Sequence, residues 1–361
     1  MQIARPTVHC RQSPRRLPGR VQDTKDWALQ DRYLVLESSD RRAVLIGMWD
    51  GHGPKGGLVS DILCTSFEQY FGPSIEGCRA WSDTTWVCEF TRYFDAAQGR
   101  LFAAKDTIEN AGASGLVVAM VFTPEIGELS VHVANCGDTE VAYCRTGRPA
   151  LFLSERDDAQ NLSEATRLLT PHRGDATHTR TIFQPFYDTK SNLFRHEGEY
   201  HTVLSPVYAV SGDGDVRVRP PPIGVKPASF DICATYFATA KGGIPVLPYK
   251  VQMSRAFGNF QATGAPSSSL GGLTHIPHIN HTTFSLAAGP AALVLGTNGF
   301  WNPFRRTCIS RHLCPWTEQV HGNGELTCAM LLTVSNHLSE LLSPDYSDDA
   351  TVAYVALPFL S

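Results

Sequence analysis

Asp50, Gly51, His52 and Gly53 close the apolar run Ala43-Val44-Leu45-Ile46-Gly47-Met48, and together they could hold a hard cation and move a proton. A carboxylate at the tip of a buried strand sits on stiff backbone and can ligate Mg²⁺ or Mn²⁺ through oxygen. Gly51 lets its own carbonyl come close enough to join in. His52 titrates near neutral pH and could act as an acid or base. Turns of this composition also serve as plain strand-to-loop connections. The segment gains weight because others repeat it: Val133-Ala134-Asn135-Cys136-Gly137-Asp138-Thr139, the run 293–301 around Thr297-Asn298-Gly299, and Ser347-Asp348-Asp349-Ala350-Thr351-Val352.

The elements that would carry these groups can be read from periodicity. Residues 34–36 and 43–48 read as a hairpin around Ser38-Ser39-Asp40. Leu58, Ile62, Leu63 and Phe67 recur at helical spacing over 57–71, and a second helix is predicted over 91–110. Strands follow at 116–122, 129–135 and 140–145, the last ending in the turn Thr146-Gly147. From 173 to 249 the pattern weakens and Pro220-Pro221-Pro222 intervenes, which reads as an irregular, loop-rich insertion. A strand at 291–296, a helix at 326–342 and a closing strand at 351–357 complete the chain. Strands joined mostly by hairpins, with helices between groups of them, predict an α+β fold of two antiparallel sheets with helices outside.

Composition narrows the class. The chain has 361 residues, 42% hydrophobic and 18% charged, with a net charge of −4. These are values of a globular protein, and they give no reason to expect nucleic acid or an anionic membrane as partner. No apolar run approaches ~18 residues. Ten scattered cysteines without a Cys-x-x-Cys pair read as reduced thiols, hence an intracellular, cytoplasmic protein. Residues 1–23 carry Arg5, Arg11, Arg15, Arg16 and Arg20 with no acid before Asp23. They read as a disordered basic tail; a mitochondrial presequence is the second reading, opposed by Pro6, Pro14 and Pro18. His275, His278 and His281 have the spacing of a metal box but fall in a Pro-containing surface stretch.

Taken together, the motifs resemble the metal-dependent protein serine/threonine phosphatases of the phosphatase 2C (PPM) type. Asp50-Gly51-His52-Gly53 is similar to the family's signature turn, and 133–139 to its Ala-Asn-x-Gly-Asp-Ser strand end. Gln252-Met253-Ser254-Arg255-Ala256-Phe257-Gly258-Asn259 is similar to Ser-Arg-Ala-x-Gly-Asp. The run 293–301 resembles an apolar strand ending in Asp-Gly-x-Trp-Asp, and 347–352 the closing Asp-Asn-x-Ser/Thr-Val. Leu29-Gln30-Asp31-Arg32 matches the opening Glu-Asp motif, and Leu169-Thr170-Pro171-His172 a Thr-x-Asp-His turn.

The resemblance implies a four-layer α-β-β-α sandwich over residues 24–358, with the flap expanded at about 173–249. It also implies a site for two Mg²⁺ or Mn²⁺ ions and hydrolysis of a phosphoprotein by a metal-activated water. By motif match, Asp50 bridges the ions, Gly51 lends its carbonyl, Asp348 ligates the second ion and Asp138 an auxiliary one. His52 protonates the leaving oxygen, Asp31 orients a metal-bound water, and the flap near Arg255 meets the substrate or partner. Long loops on a rigid scaffold usually carry such recognition. A monomer is expected.

Four positions depart from the family pattern. Gln30, Asn259, Asn298 and Asn302 stand where it has acids, each keeping the side-chain shape without the charge. Asp26 stands where the family has its phosphate-gripping arginine, and the adjacent Lys25 lacks a bidentate fork. The expectation is therefore a phosphatase fold with impaired or lost hydrolysis, a pseudophosphatase. The alternative is an active enzyme with weakened metal affinity.

Overall fold

Both faces of the long central strands are buried, and this alternation builds the layers. The computed structural model describes residues 6–14, 29–109, 111–145, 148–158, 161–169, 178–188, 202–206, 208–210, 216–218, 225–227, 236–241, 244–245, 253–260, 273–306, 323–342 and 348–357. They fall into two units. The first comprises residues 1–156, 256–259 and 275–361; the second, 157–255 and 260–274.

The first unit opens with β1 (Thr7–Ser13), β2 (Arg32–Glu37), β3 (Ala43–His52), α1 (Gly56–Phe71), α2 (Asp83–Ala103), α3 (Lys105–Ile108), β4 (Gly112–Thr123), β5 (Glu128–Cys136), β6 (Glu140–Arg145) and β7 (Leu151–Phe152). The second unit holds α4 (Leu162–Leu169), β8 (His178–Asp188), β9 (Thr202–Pro206), β10 (Tyr208–Val210), β11 (Val216–Val218), β12 (Val225–Pro227), β13 (Tyr236–Lys241) and β14 (Ile244–Pro245). The chain then returns to the first unit with β15 (Phe257–Gly258), β16 (His278–Ser285), β17 (Ala291–Gly296), α5 (Asn298–Arg306), α6 (Gly324–Leu342) and β18 (Ala350–Leu357).

Two antiparallel sheets form the centre of the first unit, in strand orders β16-β5-β4-β3-β2 (with β15 on β4) and β1-β18-β17-β6-β7. Val44, Ile46, Met48, Leu116, Val118 and Val133 of the one meet Val141, Leu293, Leu295, Ala353 and Val355 of the other in a buried core. The opposite set on β3 turns outward to the helices, with the Trp49 ring edge-on to Phe67 of α1 at 5.4 Å. On the far face of the second sheet, Phe300, Trp301 and Phe304 of α5 and Leu331 of α6 pack against Val294, Val352 and Tyr354. The layers of this unit are thus helix, sheet, sheet, helix. Among the described residues no helix is long and apolar enough to cross a membrane.

Four local expectations need correction. Residues 7–13 are not a disordered tail; they pair with β18 from Thr7↔Ala356 to Ser13↔Ala350, with Val8 and Cys10 packed on the core. Pro6 and Pro14, which argued against a helix, lie just outside the strand ends, where proline costs no ladder bond. The second helix starts at Asp83 rather than 91, because Ser82 caps it by accepting the Thr85 N–H at 3.2 Å.

Within 173–249 the described residues include strands, with β8 pairing β9, β12 and β13. Apart from β8 they are short, and several contain proline (Pro185, Pro206, Pro227, Pro245), which erases the alternation by which strands are recognised. Finally, 278–285 is the edge strand β16, paired with β5, and not a surface loop. Its half-exposed, polar composition hid it. The Thr146-Gly147 and 169–172 turns lie outside the described residues, apart from the backbone of Leu169 in α4.

Candidate active site

Five chain segments of the first unit meet at one end of the sheets. The β3 tip brings Asp50, Gly51 and His52; the approach to β2 brings Gln30 and Asp31. The β5–β6 turn brings Asp138, the start of α5 brings Asn298, and the approach to β18 brings Asp348 and Asp349.

Asn298 lies between two of the carboxylates. Its backbone N–H donates to Asp50 Oδ2 at 3.2 Å and its side-chain amide donates to Asp138 Oδ2 at 3.4 Å. Burial, then Asp31, Asp348 and Asp138 in that order, raises the Asp50 carboxyl well above the ordinary range, against a smaller opposing pull from the Asn298 N–H. Asp31 is fully buried, and Oδ2 accepts from the hydroxyls of Thr351 at 2.7 Å and Thr297 at 3.0 Å. Its pKa is pushed up to about 7, first by burial and then by Asp349 and Asp348, with the two hydroxyls opposing.

A divalent cation fits this donor set. Among the described residues no lysine or arginine side chain is bonded to the carboxylates of Asp31, Asp50 or Asp138. Asp31 Oδ1, Asp138 Oδ1 and Asn298 Oδ1 are buried without a hydrogen-bond partner there. Buried carboxylates without partners are costly, and a dication satisfies them. The fit is loose, however: among the described residues no three of these acids bring one oxygen each within 4.8 Å of one another.

No protein-family model and no curated protein matches the sequence. Solved structures do. A serine-threonine phosphatase 2C from Toxoplasma gondii superposes with a TM-score of 0.59 at 14% identity, covering 97% of this chain and 94% of that one. The S. agalactiae serine/threonine phosphatase gives 0.54 at 13% identity, over 99% and 100% of the two chains. A bacterial serine phosphatase gives 0.53 at 11%, over 98% of each. The fold is that of the PPM-type phosphatases.

Within this PPM-type fold the motif residues separate into two groups. Asp31, Asp50, Asp138, Asn298 and Asp348 share one cluster. Asn259 does not join it: with φ at +50°, it sets its amide against His52 Nε2, nitrogen at 2.7 Å and oxygen at 3.2 Å. His52 is held below its ordinary pKa chiefly by burial, against Asn259 and Asp138, so at neutral pH the ring is uncharged. Asn302 is also outside the cluster and accepts from Arg156 at 2.9 Å. Gln30 is occupied by backbone contacts, its N–H donating to Asp349 Oδ2 at 2.8 Å and its amide to the Gly53 carbonyl at 3.0 Å. In the second unit Arg255 is buried, donating to Glu164 Oε1 at 2.7 Å with Asp157 3.5 Å away.

The two hydroxyls that hold Asp31 were not legible as site residues. Thr297 and Thr351 sit one position before Asn298 and at the start of the last strand, and they meet only because β17 and β18 pair, with Thr351 N–H donating to Thr297 Oγ1 at 3.0 Å. Glycine is required nearby on packing grounds. A Cβ at Gly299 would land on the Asp349 carbonyl oxygen. Gly299→Ala should therefore cost about 3 kcal/mol, read as a lower urea midpoint; an unchanged midpoint would mean that the turn carrying Asp348 is not packed on α5.

Proposed function

We propose that this chain is a PPM-type protein serine/threonine phosphatase whose metal-dependent phosphoester hydrolysis is impaired or lost. The observation that supports it is Asn298. Beside Asp50, which accepts from the Asn298 backbone N–H, the neutral Asn298 side-chain amide donates to Asp138 Oδ2 where an acid would add a charge for the cation. The cluster thereby satisfies part of its own negative charge and offers a cation one carboxylate fewer.

Asp50, Asp138 and Asp348 would hold Mg²⁺ or Mn²⁺, with the Gly51 carbonyl and the Asn298 amide oxygen as neutral ligands. When bound, the ion supplies a Lewis acid and a water of lowered pKa. Asp31, fixed by Thr297 and Thr351, keeps Oδ1 available to orient a water. His52 would deliver a proton to the leaving seryl or threonyl oxygen. A ring held neutral by burial and tied to a neutral amide is a weak donor for that step. The partner is a phosphoprotein, bound or slowly hydrolysed by a monomer, and chosen by the 173–249 insertion with Arg255 as an internal anchor of that unit. Ten scattered cysteines without a Cys-x-x-Cys pair support an intracellular site of action.

A Mn²⁺ titration of phosphopeptide hydrolysis, native chain beside Asp50→Ala, tests this. Expected is turnover far below the ~10 s⁻¹ of an ordinary enzyme, indistinguishable between the two proteins at micromolar Mn²⁺. Ordinary turnover that disappears in Asp50→Ala would establish the active enzyme instead.

A further inference from the structure

A second group of ligands lies away from the strand tips, in the same unit. His281 of β16 and His132 of β5 are directly opposed in register, so both imidazoles stand on one face of the sheet. Their rings stack at 4.3 Å with planes 10° apart. The first turn of α2 places Asp83 beside them, with Oδ2 3.3 Å from His281 Nδ1. One ligand atom from each of the three lies within 4.8 Å of the others.

The geometry points to a His-His-Asp site for a borderline divalent transition ion, Zn²⁺ in class, formed by His132, His281 and Asp83. With metal–nitrogen and metal–oxygen bonds of about 2.0 Å, tetrahedral ligand atoms lie about 3.3 Å apart, the separation already present between His281 and Asp83. Rotation of the His281 ring out of the stack and of the exposed Asp83 carboxylate would bring their ligand atoms around a nitrogen of the fixed His132 ring, from the 4.8 Å within which all three now lie. Imidazole selects zinc, copper or nickel over magnesium, which sets this site apart from the all-oxygen cluster at the strand tips.

The supporting groups suit the role. Trp86 stacks on His132 at 5.1 Å and fixes the buried ring. Asp83 and His281, with side chains 67% and 32% exposed, leave an entry path and an open fourth position. An ion there ties the start of α2 to the edge strand β16.

The full-length chain, stripped with EDTA, is titrated with Zn²⁺ by calorimetry and with Co²⁺ by visible absorption. Wild type is compared with Asp83→Ala, His281→Ala and Asp50→Asn, each checked by circular dichroism. Expected is one ion per chain with the absorption of tetrahedral Co²⁺, weakened at least ~10-fold in Asp83→Ala and in His281→Ala and retained in Asp50→Asn. No Zn²⁺ binding by the folded wild type overturns the proposal. So does binding that survives His281→Ala and is lost in Asp50→Asn, because the ion is then at the strand tips.

Discussion

Asn298→Asp should tighten Mn²⁺ binding by about 10–100-fold and, at the same time, destabilise the metal-free protein. Both effects follow from one placement. The Asn298 backbone N–H bonds Asp50 and its side-chain amide bonds Asp138, and burial with three neighbouring acids already raises the Asp50 carboxyl well above its ordinary range. A new carboxylate loses the amide donor to Asp138 and adds repulsion, roughly 3 kcal/mol per pair at about 5 Å and an effective dielectric of 20. A dication reverses the balance, because it attracts each carboxylate with twice the charge by which two carboxylates repel. Calorimetry with Mn²⁺ and thermal melts in EDTA check the two arms, and phosphopeptide turnover should rise with affinity. Unchanged Mn²⁺ affinity would remove Asn298 from the ligand set and with it the main support for an impaired site.

The second large effect concerns pH. Asp31→Asn should raise the stability of the metal-free protein at pH 8 by up to about 4 kcal/mol, with the gain vanishing near pH 4. The folded-state pKa of Asp31, about 7, lies above the ordinary 3.8, so the native state binds the proton more tightly than the unfolded chain does. Its contribution is fully present below pH ~4 and is lost as the pH rises through about 7. The opposite slope would be expected of a carboxylate paired with a cation. Asparagine can still accept from Thr297 and Thr351 through its amide oxygen, so the change removes the titration while keeping those bonds. Urea midpoints of both proteins in EDTA, from pH 4 to 8, give the test. A wild-type midpoint that rises with pH across that range would show that Asp31 is ionised throughout.

The framework and most of the cluster are legible in the order of the residues. Continuous apolar runs marked 43–48 and 291–296, as strands buried on both faces require, alternation marked 129–135, and each closes on a short polar segment. Asp50, Asp138, Asn298 and Asp348 could therefore be placed at strand ends, and the substitution of amides for acids was visible from residue type alone. Local pattern could not show where each amide points. It takes the folded chain to show that Asn298 enters the carboxylate cluster, that Asn259 turns to His52, and that Asn302 leaves the site for Arg156. The same holds for Thr297 and Thr351 on Asp31, for residues 7–13 as an edge strand, and for His281 against His132 and Asp83 rather than His275 and His278. The reason is common to all of them. Each depends on a contact between residues far apart in the chain, created by strand register and burial, and neither quantity is written in the spacing of a single segment.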